Sequence, residues 1–405
     1  MSSNEKLKAS SDPTLVLTHP TAAERERIWT QTHGMWGSAL SLEQYVAREA
    51  FLTTAPLASD GGITHWILTD STELPDRRPI LSSCESLRKP AAVSSTSTGT
   101  AVVTDGMAHG VGSVFTDPQF RGQGYAGRML TELGPRLKDW QAGGDNTHRP
   151  LFSILYSDIG KTFYASKGWA VFPSTHFAFA VDSKDGIEDG TLLSASDTQP
   201  AAPLLADDLA ALAAADEALL RARLVRVADL TPSAALLPGV DALHWHLVRE
   251  KYMTQHILQR SPTVHGAIAS TASTNNTQPG HRLWVVWTRT YHGGPEATAG
   301  NTLHILRVVL EDVDDDDAAP ANLSARHADG FRAIIALARA EAARWHCGDV
   351  QLWNPTPAVK TLTQKAGLTP TLVDRETDSI ASLMWYGEGP TEEVAWVANE
   401  KYAWC

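Results

Sequence analysis

A glycine-rich run, residues 121–126, is the segment of this chain whose composition best suits the binding of a charged ligand. It lies between a predicted strand, residues 107–116, and a predicted helix, residues 125–138. Glycines let the backbone approach a ligand closely, and the first turn of a helix offers free N–H groups and partial positive charge. The spacing therefore predicts a pyrophosphate-binding loop; a purely structural glycine turn is the alternative. Its residues are Arg121, Gly122, Gln123, Gly124, Tyr125 and Ala126.

The loop fits neither of two common phosphate-binding motifs. A dinucleotide fingerprint needs a third glycine, and a Walker loop needs Gly-Lys-Ser/Thr. Residues 114–126 instead resemble the acyl-CoA-binding segment of the GNAT N-acetyltransferases, with its pattern Gln/Arg-x-x-Gly-x-Gly/Ala. The resemblance implies that the loop holds the pyrophosphate of acetyl-CoA. It also implies that the backbone of Val114, Phe115 and Thr116 pairs with the pantetheine arm like an added strand.

A second element, residues 163–169, strengthens this resemblance because it matches Phe/Leu-Tyr-x-x-x-Gly-Phe/Trp of the same family. The predicted order around it is a strand (150–157), a short helix (160–166) capped by Gly168, and a strand (170–181), as in the second half of a GNAT fold. The implied architecture is α/β (α+β), a mixed, mostly antiparallel sheet with helices on both faces.

Tyr164 of this element corresponds to the tyrosine that donates a proton to the leaving CoA thiolate in the family. A tyrosine of pKa about 10 is neutral at pH 7 and can protonate a thiolate whose acid has a pKa of about 8.5. A core aromatic is the alternative role. Ser157 stands where many members carry an asparagine, so contacts to pantetheine are expected to differ. His109 lies near the position of an acid/base in several members, but the alternation does not show which face it occupies.

Four further segments are similar to the fungal-type lysine N6-acetyltransferases: residues 82–88, 155–161, 245–250 and 396–404. This resemblance spans nearly the whole chain. It implies acetyl transfer from acetyl-CoA to the side-chain amine of free L-lysine, in lysine catabolism. Glu85 is then the first candidate to pair with the substrate ammonium; an exposed carboxylate on a strand is the alternative.

The C-terminal residues are unusually aromatic, because Tyr402 and Trp404 fall within the last four positions. Burial of these rings would bring the carboxylate of Cys405 into the fold. In the Eis-type acetyltransferases the chain end reaches the active site and its carboxylate acts as base, and we expect the same here. Simple packing of the tail is the alternative.

Composition limits the classes of function. The 405 residues, 43% of them hydrophobic, predict two domains. A formal net charge of −12 argues against a nucleic-acid partner. No long apolar run or signal sequence is present, and three cysteines lack metal spacing, so we expect a cytoplasmic protein without membrane or metal. The oligomeric state stays open.

The predicted organisation is a disordered tail (1–12), a catalytic GNAT domain (13–182), a linker (183–203) and a GNAT-like C-terminal domain without a CoA site (204–405). The second part repeats the order of elements of the first. However, four aspartates, residues 314–317, replace the glycine loop, and Thr363 replaces the tyrosine. These aspartates are predicted as a solvated turn, and residues 94–100 as a loop between strands.

The sequence thus predicts an N-acetyltransferase that acts by direct transfer in a ternary complex, because no cysteine falls in either cofactor element. Polyamines, aminoglycosides and protein N-termini are alternative acceptors. A non-catalytic CoA sensor is the alternative from a different class.

Overall fold

The computed structural model describes residues 7–97, 100–144, 148–181, 201–228, 231–271 and 282–405. The α-helices are α1 (Ala22–Trp36), α2 (Leu42–Leu52), α3 (Tyr125–Leu137), α4 (Thr162–Ala165), α5 (Leu209–Val227), α6 (Val240–Leu258), α7 (Ala325–Arg344) and α8 (Pro357–Lys365). The strands are β1 (Leu15–Thr18), β2 (Ile63–Asp70), β3 (Ser82–Ser97), β4 (Thr100–Phe115), β5 (Pro150–Ser157), β6 (Ala170–Val171), β7 (Thr175–Ala180), β8 (Ala202–Leu204), β9 (Ser233–Leu236), β10 (Gly266–Ser270), β11 (Arg282–Tyr291), β12 (Asn301–Leu310), β13 (Asp349–Trp353), β14 (Thr371–Asp374), β15 (Ile380–Trp385) and β16 (Ala395–Trp396).

Two mixed sheets organise the described residues. The first sheet has the order β1-β2-β3-β4-β5-β15-β6, with β9 paired to β3 and β16 to β9. The second sheet has the order β14-β7-β13-β12-β11-β10-β8. Most pairs are antiparallel, but each sheet contains a central parallel pair, β4 with β5 and β12 with β13. The predicted mixed, mostly antiparallel α/β architecture is confirmed.

The two sheets exchange strands between the halves of the chain. Strand β7 precedes the predicted linker, yet it lies in the second sheet between β14 and β13. Strand β15 comes from the second half, yet it lies in the first sheet between β5 and β6. The predicted domain boundaries therefore do not coincide with the sheets, and most of the predicted linker, residues 183–200, lies outside the described residues.

Helices cover the outer faces of both sheets. Helix α3 is amphipathic, and Met129, Leu130 and Leu133 are fully buried against the first sheet. Helix α7 covers the second sheet with Phe331 and Ile334. A third core lies between the sheets and includes residues of α5, α6 and the C-terminal tail. The inner faces of both sheets therefore pack against this third core.

Three local predictions are wrong. Residues 94–97 continue β3 and residues 100–115 form β4, because Ala91 to Ser94 are paired on their second edge by β9, which extends the hairpin. Residues 7–12, predicted as part of a disordered tail, contact α3, where the Tyr125 hydroxyl donates to the Lys8 carbonyl oxygen at 2.5 Å. The predicted strand 170–181 is interrupted at residues 172–174, and its two parts join different sheets.

The aspartate run forms a turn, as predicted, and Asp314, Asp316 and Asp317 are exposed, but three of its side chains also form ion pairs. Asp315 and Asp316 form ion pairs with Arg223 of α5, and Asp314 pairs with Arg226 on the same helix. These arginines lie three residues apart on one face of α5, so they meet the run together. The acidic segment therefore fastens α5 to the loop after β12.

The C-terminal tail, residues 394–405, passes between the two sheets. Tyr402 is 1% exposed and its hydroxyl donates to the Leu236 carbonyl oxygen at 2.7 Å. Its own carbonyl oxygen contacts Nε2 of buried His246 at 3.1 Å. Glu400 forms an ion pair with Arg307, which also binds Asp216 at 2.8 Å. The predicted burial of the tail aromatics is confirmed for Tyr402, whereas Trp404 is partly exposed.

Candidate active site

A cavity of about 890 Å³ lies between the two halves of the molecule. Its wall includes the splayed ends of β4 and β5, helices α1, α2 and α6, the tail and the inner face of the second sheet. Of the predicted site residues, four contribute to this wall: Glu85, Val114, Tyr164 and Cys405. The structure therefore brings together residues that are up to 320 positions apart in the sequence.

The cavity opens where β4 and β5 separate. Their parallel pairing ends at Val111 and Leu155, although both strands continue. At the same point β4 has a bulge: Glu85 faces Gly112, Ser83 faces Phe115, and Ser113, in the extra length of β4 between them, has a left-handed φ of +53°. A bulge beside a site redirects side chains, and here Ser113 is turned toward Glu85. The gap leaves room for an extended chain beside β4.

Glu85 is a partly buried carboxylate at this bulge. The Ser113 hydroxyl donates to its Oε1 at 2.7 Å, and Nε2 of His65 lies 3.7 Å from its Oε2. Burial, with a smaller contribution from Glu49, raises the pKa of Glu85 to about 7. Burial also lowers the pKa of His65 to about 4, so that ring is neutral at pH 7, and the described residues supply no other ion pair to the carboxylate. A carboxylate of this kind suits both ammonium binding and proton transfer.

Tyr164 lies at the end of α4 and is 8% exposed. Its ring packs into the core beneath α3, which matches the core-aromatic alternative, yet it also contributes to the cavity wall. Burial holds the pKa of Tyr164 above its usual range. Its hydroxyl has no hydrogen-bond partner among the described residues, so this O–H is available to a ligand.

Cys405 lies against β4 at the mouth of the gap. Its Sγ is 3.4 Å from the Val111 carbonyl oxygen, and a Cβ on Gly110 would lie 2.9 Å from its own Cβ. The approach therefore requires glycine at position 110. Lys89, which is 2% exposed, secures the tail by donating to the carbonyl oxygens of Ala403 at 3.0 Å and Trp404 at 2.8 Å. Burial raises the pKa of the Cys405 thiol to about 11, so the thiol is protonated at pH 7.

The glycine loop has the geometry of an anion site. Gly122 and Gly124 have left-handed φ values of +77° and +82°, and Gly124 is the N-cap of α3 without a side-chain cap. Because the N-cap residue is a glycine, no side chain at that position accepts from the N–H groups of the first turn. The loop from Arg121 to Gly124 is exposed. The Lys167 ammonium lies 3.6 Å from the position of a Cβ on Gly127, beside this turn. These groups fit a pyrophosphate.

The three residues expected to pair with pantetheine differ in their availability. Val114 contributes to the cavity wall. The carbonyl oxygen of Phe115 already accepts the Ser82 hydroxyl at 2.9 Å, and that of Thr116 accepts Nε of Arg121 at 3.0 Å. Val114 is therefore the residue of the three best placed to pair with an extended ligand.

His109 and Ser157 do not contribute to the cavity wall. His109 is fully buried, its Nε2 lies 3.2 Å from the Trp140 carbonyl oxygen, and burial lowers its pKa to about 4. The side chain therefore turns toward the segment after α3, and this position does not support an acid/base role at the cavity. The Ser157 hydroxyl donates to the Gly160 carbonyl oxygen at 2.7 Å inside its own turn, so a direct side-chain contact with pantetheine is not supported.

Sequence reasoning missed Lys89, Ser113 and Lys167. Lys89 stands between an arginine and a proline, and its burial depends on the tail that packs against β3, so no local signal reveals it. Ser113 contacts Glu85 only because β4 has a bulge, and the sequence contains no signal for that bulge. Lys167 lies inside the motif of residues 163–169, but its proximity to α3 depends on tertiary packing.

No helix in the described parts of the chain is long and apolar enough to cross a membrane. Within the same ranges, no group of three or more His, Cys, Asp or Glu side chains is arranged to hold a metal ion.

The parallel pair that separates at a bulge, the uncapped glycine loop before α3 and the cavity with Tyr164 define an N-acetyltransferase of the GNAT class. Residues 190–405 match the family model described as LYC1 GNAT-like C-terminal domain, and the chain belongs to this family. A lysine acetyltransferase of Yarrowia lipolytica is 24% identical over 316 residues, which cover 70% of this chain and 73% of the relative.

Solved structures show weaker similarity. Saccharomyces cerevisiae N-myristoyltransferase with bound myristoyl-CoA has a TM-score of 0.49 at 9% identity, covering 96% of this chain and 82% of the other. Eis1 from Mycobacterium abscessus has a TM-score of 0.43 at 13% identity, covering 92% and 73%. A GCN5-related N-acetyltransferase from Kribbella flavida has a TM-score of 0.44 at 14% identity, covering 92% and 69%. At these TM-scores, the similarities support no statement about the site.

Proposed function

We propose that this chain transfers the acetyl group of acetyl-CoA to the side-chain amine of free L-lysine, as part of lysine catabolism. The observation that carries the proposal is the cavity, because Glu85 and Tyr164 both contribute to its wall. The lysine acetyltransferase of Yarrowia lipolytica, similar over 70% of this chain, supports lysine as the acceptor.

Acetyl-CoA supplies the acetyl group and leaves as CoA. The chain's own groups would bind it in two places. The uncapped N–H groups of α3, together with Arg121 and Lys167, would hold the pyrophosphate. The backbone at Val114 would pair with the pantetheine arm in the gap beside β5.

Glu85 would hold the substrate amine and accept its proton. A free lysine amine has a pKa of about 10.4, so deprotonation at pH 7 costs roughly 4.6 kcal/mol. A carboxylate with a pKa of about 7 is a better acceptor than an ordinary glutamate. The neutral amine nitrogen would then form the bond to the acetyl carbon, the carbon–sulfur bond would break, and Tyr164 would give its proton to the departing thiolate. The second proton of the nitrogen would leave as the amide forms and restore the phenol of Tyr164 through solvent.

The carboxylate at Cys405 is a second candidate for the proton acceptor. The tail brings the Cys405 side chain beside Gly112, close to Glu85. Addition of one glycine after Cys405 would move this charge and leave Tyr402 and Trp404 in place. We expect kcat/KM to fall in the extended enzyme with an unchanged melting temperature. Wild-type kcat/KM would assign the proton to Glu85 alone.

Direct transfer is favoured although the tail brings a cysteine to the site. The thiol of Cys405 is protonated at pH 7, and a thiol is a weaker nucleophile than a thiolate. Mass spectrometry of the protein mixed with acetyl-CoA alone should therefore show no acetylated Cys405. An acetyl group at that residue, released on addition of amine, would contradict the direct mechanism.

Release of CoA from acetyl-CoA, measured against a panel of amines, tests the proposal as a whole. L-Lysine should give the highest kcat/KM, and the product should be acetylated at its side-chain nitrogen. The panel should include a polyamine, an aminoglycoside and a peptide with a free N-terminus. A higher kcat/KM for one of these would replace lysine as the acceptor, and no CoA release with any amine would favour a sensor.

A further inference from the structure

A cluster of cationic and hydrogen-bond-donating side chains lies on the second-half side of the cavity, away from Glu85 and the glycine loop. Trp353 of β13 is its centre. The guanidinium carbon of Arg375 lies 3.9 Å from a ring centroid of Trp353, and the Lys401 ammonium lies 4.1 Å from one. The ring centroids of Tyr156 and His304 lie 5.7 and 5.9 Å, respectively, from that of Trp353. We call these residues, together with His176, the Trp353 cluster.

Several polar atoms of this cluster are buried without partners. Nη2 of Arg375, Nδ1 of His176 and His304, and the hydroxyl of Tyr156 have no hydrogen-bond partner among the described residues. Arg375 is 7% exposed, and both histidines are 8% exposed. An unpaired buried polar group costs free energy, so several that share one cavity indicate a ligand.

The positive charge of the cluster indicates that the ligand is negatively charged. Neither Arg375 nor Lys401 forms an ion pair with a carboxylate within the described ranges of the chain. Two carbonyl oxygens, of Thr175 at 2.9 Å and Ser379 at 3.3 Å, hold the Arg375 guanidinium in place. Burial holds the pKa of Lys401 well below its usual range, which an anion beside it would reverse.

We propose that the Trp353 cluster binds the carboxylate of the acceptor substrate, so that the second half selects amino acids over simple amines. This inference rests on the proposed function, because it assumes an acceptor whose amine lies at Glu85. Arg375 and Lys401 supply positive charge, and His176, His304 and Tyr156 supply further donors. The cluster and Glu85 belong to the wall of the same cavity, and the tail links them through Trp404, whose ring lies 4.2 Å from the Lys401 ammonium.

Two variants test the cluster. Lys401→Met keeps the aliphatic stem between the two tryptophan rings and removes the charge. Arg375→Gln removes the second positive charge, so it tests the cluster independently of Lys401. Arg260→Met is the matched control, because Arg260 lies over Trp345 at 4.3 Å in the same half but outside the cavity wall.

The substrates compared are L-lysine and cadaverine, which is L-lysine without its carboxylate. In both cluster variants we expect kcat/KM for L-lysine to fall by roughly 10- to 100-fold, as for the loss of a charged hydrogen bond. The value for cadaverine should change by less than about threefold. Equal losses for the two substrates, with an unchanged melting temperature, would overturn the carboxylate assignment.

A binding measurement separates this inference from the proposed function. Hexanoate, a carboxylate without an amine, should quench tryptophan fluorescence in the wild type and in Arg260→Met, but much less in Lys401→Met. The carboxylate subsite would be overturned if the wild type did not bind hexanoate. It would also be overturned if inorganic phosphate, but not hexanoate, quenched the fluorescence. Normal hexanoate binding in a protein that acetylates no amine would instead overturn the proposed function and leave the subsite standing.

Discussion

At the scale of single residues, the chemistry of the site depends on how burial changes ordinary side chains. Glu85 and Tyr164 are the proposed base and acid, and burial raises the pKa of both side chains. Burial raises the pKa of Glu85 to about 7, so it can accept a proton at neutral pH, and it keeps Tyr164 protonated. A strand position in the sequence does not reveal this burial, because it arises from α1, α2 and the tail.

Glu85→Gln tests this burial through the pH dependence of activity. In the wild type, kcat/KM should rise with pH through about 7 as Glu85 ionises, and continue to rise toward the pKa of the free amine. The variant should lose the inflection near 7 and fall roughly 10²- to 10⁴-fold in kcat. A pH–rate profile of each enzyme measures this, and an inflection near 7 that survives in the variant would contradict the role.

The same substitution carries a consequence for stability. Because the folded pKa of Glu85 exceeds the unfolded value, the folded state binds more protons between about pH 4.5 and 7, and this group's contribution to stability falls as pH rises through that range. Glu85→Gln should therefore melt at a higher temperature than the wild type at pH 8, with a smaller difference at pH 4.

Tyr164→Phe separates the hydroxyl from the ring. The ring packs in the core and the hydroxyl has no hydrogen-bond partner among the described residues, so the variant should keep its melting temperature. Loss of the general acid should lower kcat roughly 10²- to 10⁴-fold, with the affinity for acetyl-CoA unchanged. Calorimetric titration of acetyl-CoA alongside steady-state rates measures both. Full turnover would return Tyr164 to the role of a core aromatic.

At the scale of elements, the two parallel strand pairs show why the halves differ. In the first half, the gap beyond Val111 and Leu155 is open to the cavity. In the second half, pairing ends at Ile305 and Leu352, and beyond it Glu400 of the tail accepts the Val308 N–H at 3.2 Å. A strand edge that already has a partner offers nothing to a pantetheine arm. This arrangement supports the proposal that the second half binds no CoA.

Gly124→Glu and Gly124→Ala test the glycine loop as a matched pair. Both place an L side chain at a φ of +82°, 3.1 Å from the Ser10 hydroxyl oxygen, and should cost similar backbone strain of about 1–2 kcal/mol. Only the glutamate adds negative charge to the first turn of α3. Acetyl-CoA affinity, measured by calorimetry, should fall much further for the glutamate variant. Equal affinities would argue against a pyrophosphate at this loop.

The sequence predicts local elements well and their partners poorly. Turn chemistry and apolar periodicity place α3 and β5 within one residue of their observed ends. The loop and Tyr164 could be identified because their spacing is local. The Trp353 cluster could not, since it combines side chains from β5, β7, β12, β13, the segment after β14 and the tail. The face that His109 occupies could not be predicted either, because alternation does not show which face α3 covers.

At the scale of the whole molecule, the exchange of β7 and β15 makes the halves one folding unit. Without β15, the edge of β5 would be unpaired, and Ile380 and Leu383, which are fully buried, would leave apolar surface uncovered. Burial of each such side chain contributes roughly 1.5–3 kcal/mol, a large share of the stability of a domain. Independent folding of residues 1–182 is therefore not expected.

Cleavage between the halves tests this coupling. The chain can be divided at residue 190, in the segment between β7 and β8, and the two fragments expressed alone or together. Expressed together, they should copurify, unfold in a single calorimetric transition and retain CoA release, because each supplies a strand to the other's sheet. Expressed alone, residues 1–190 should lack a cooperative transition and should not bind acetyl-CoA. A cooperative, acetyl-CoA-binding fragment 1–190 would show instead that β15 is dispensable and that the first half is an independent domain.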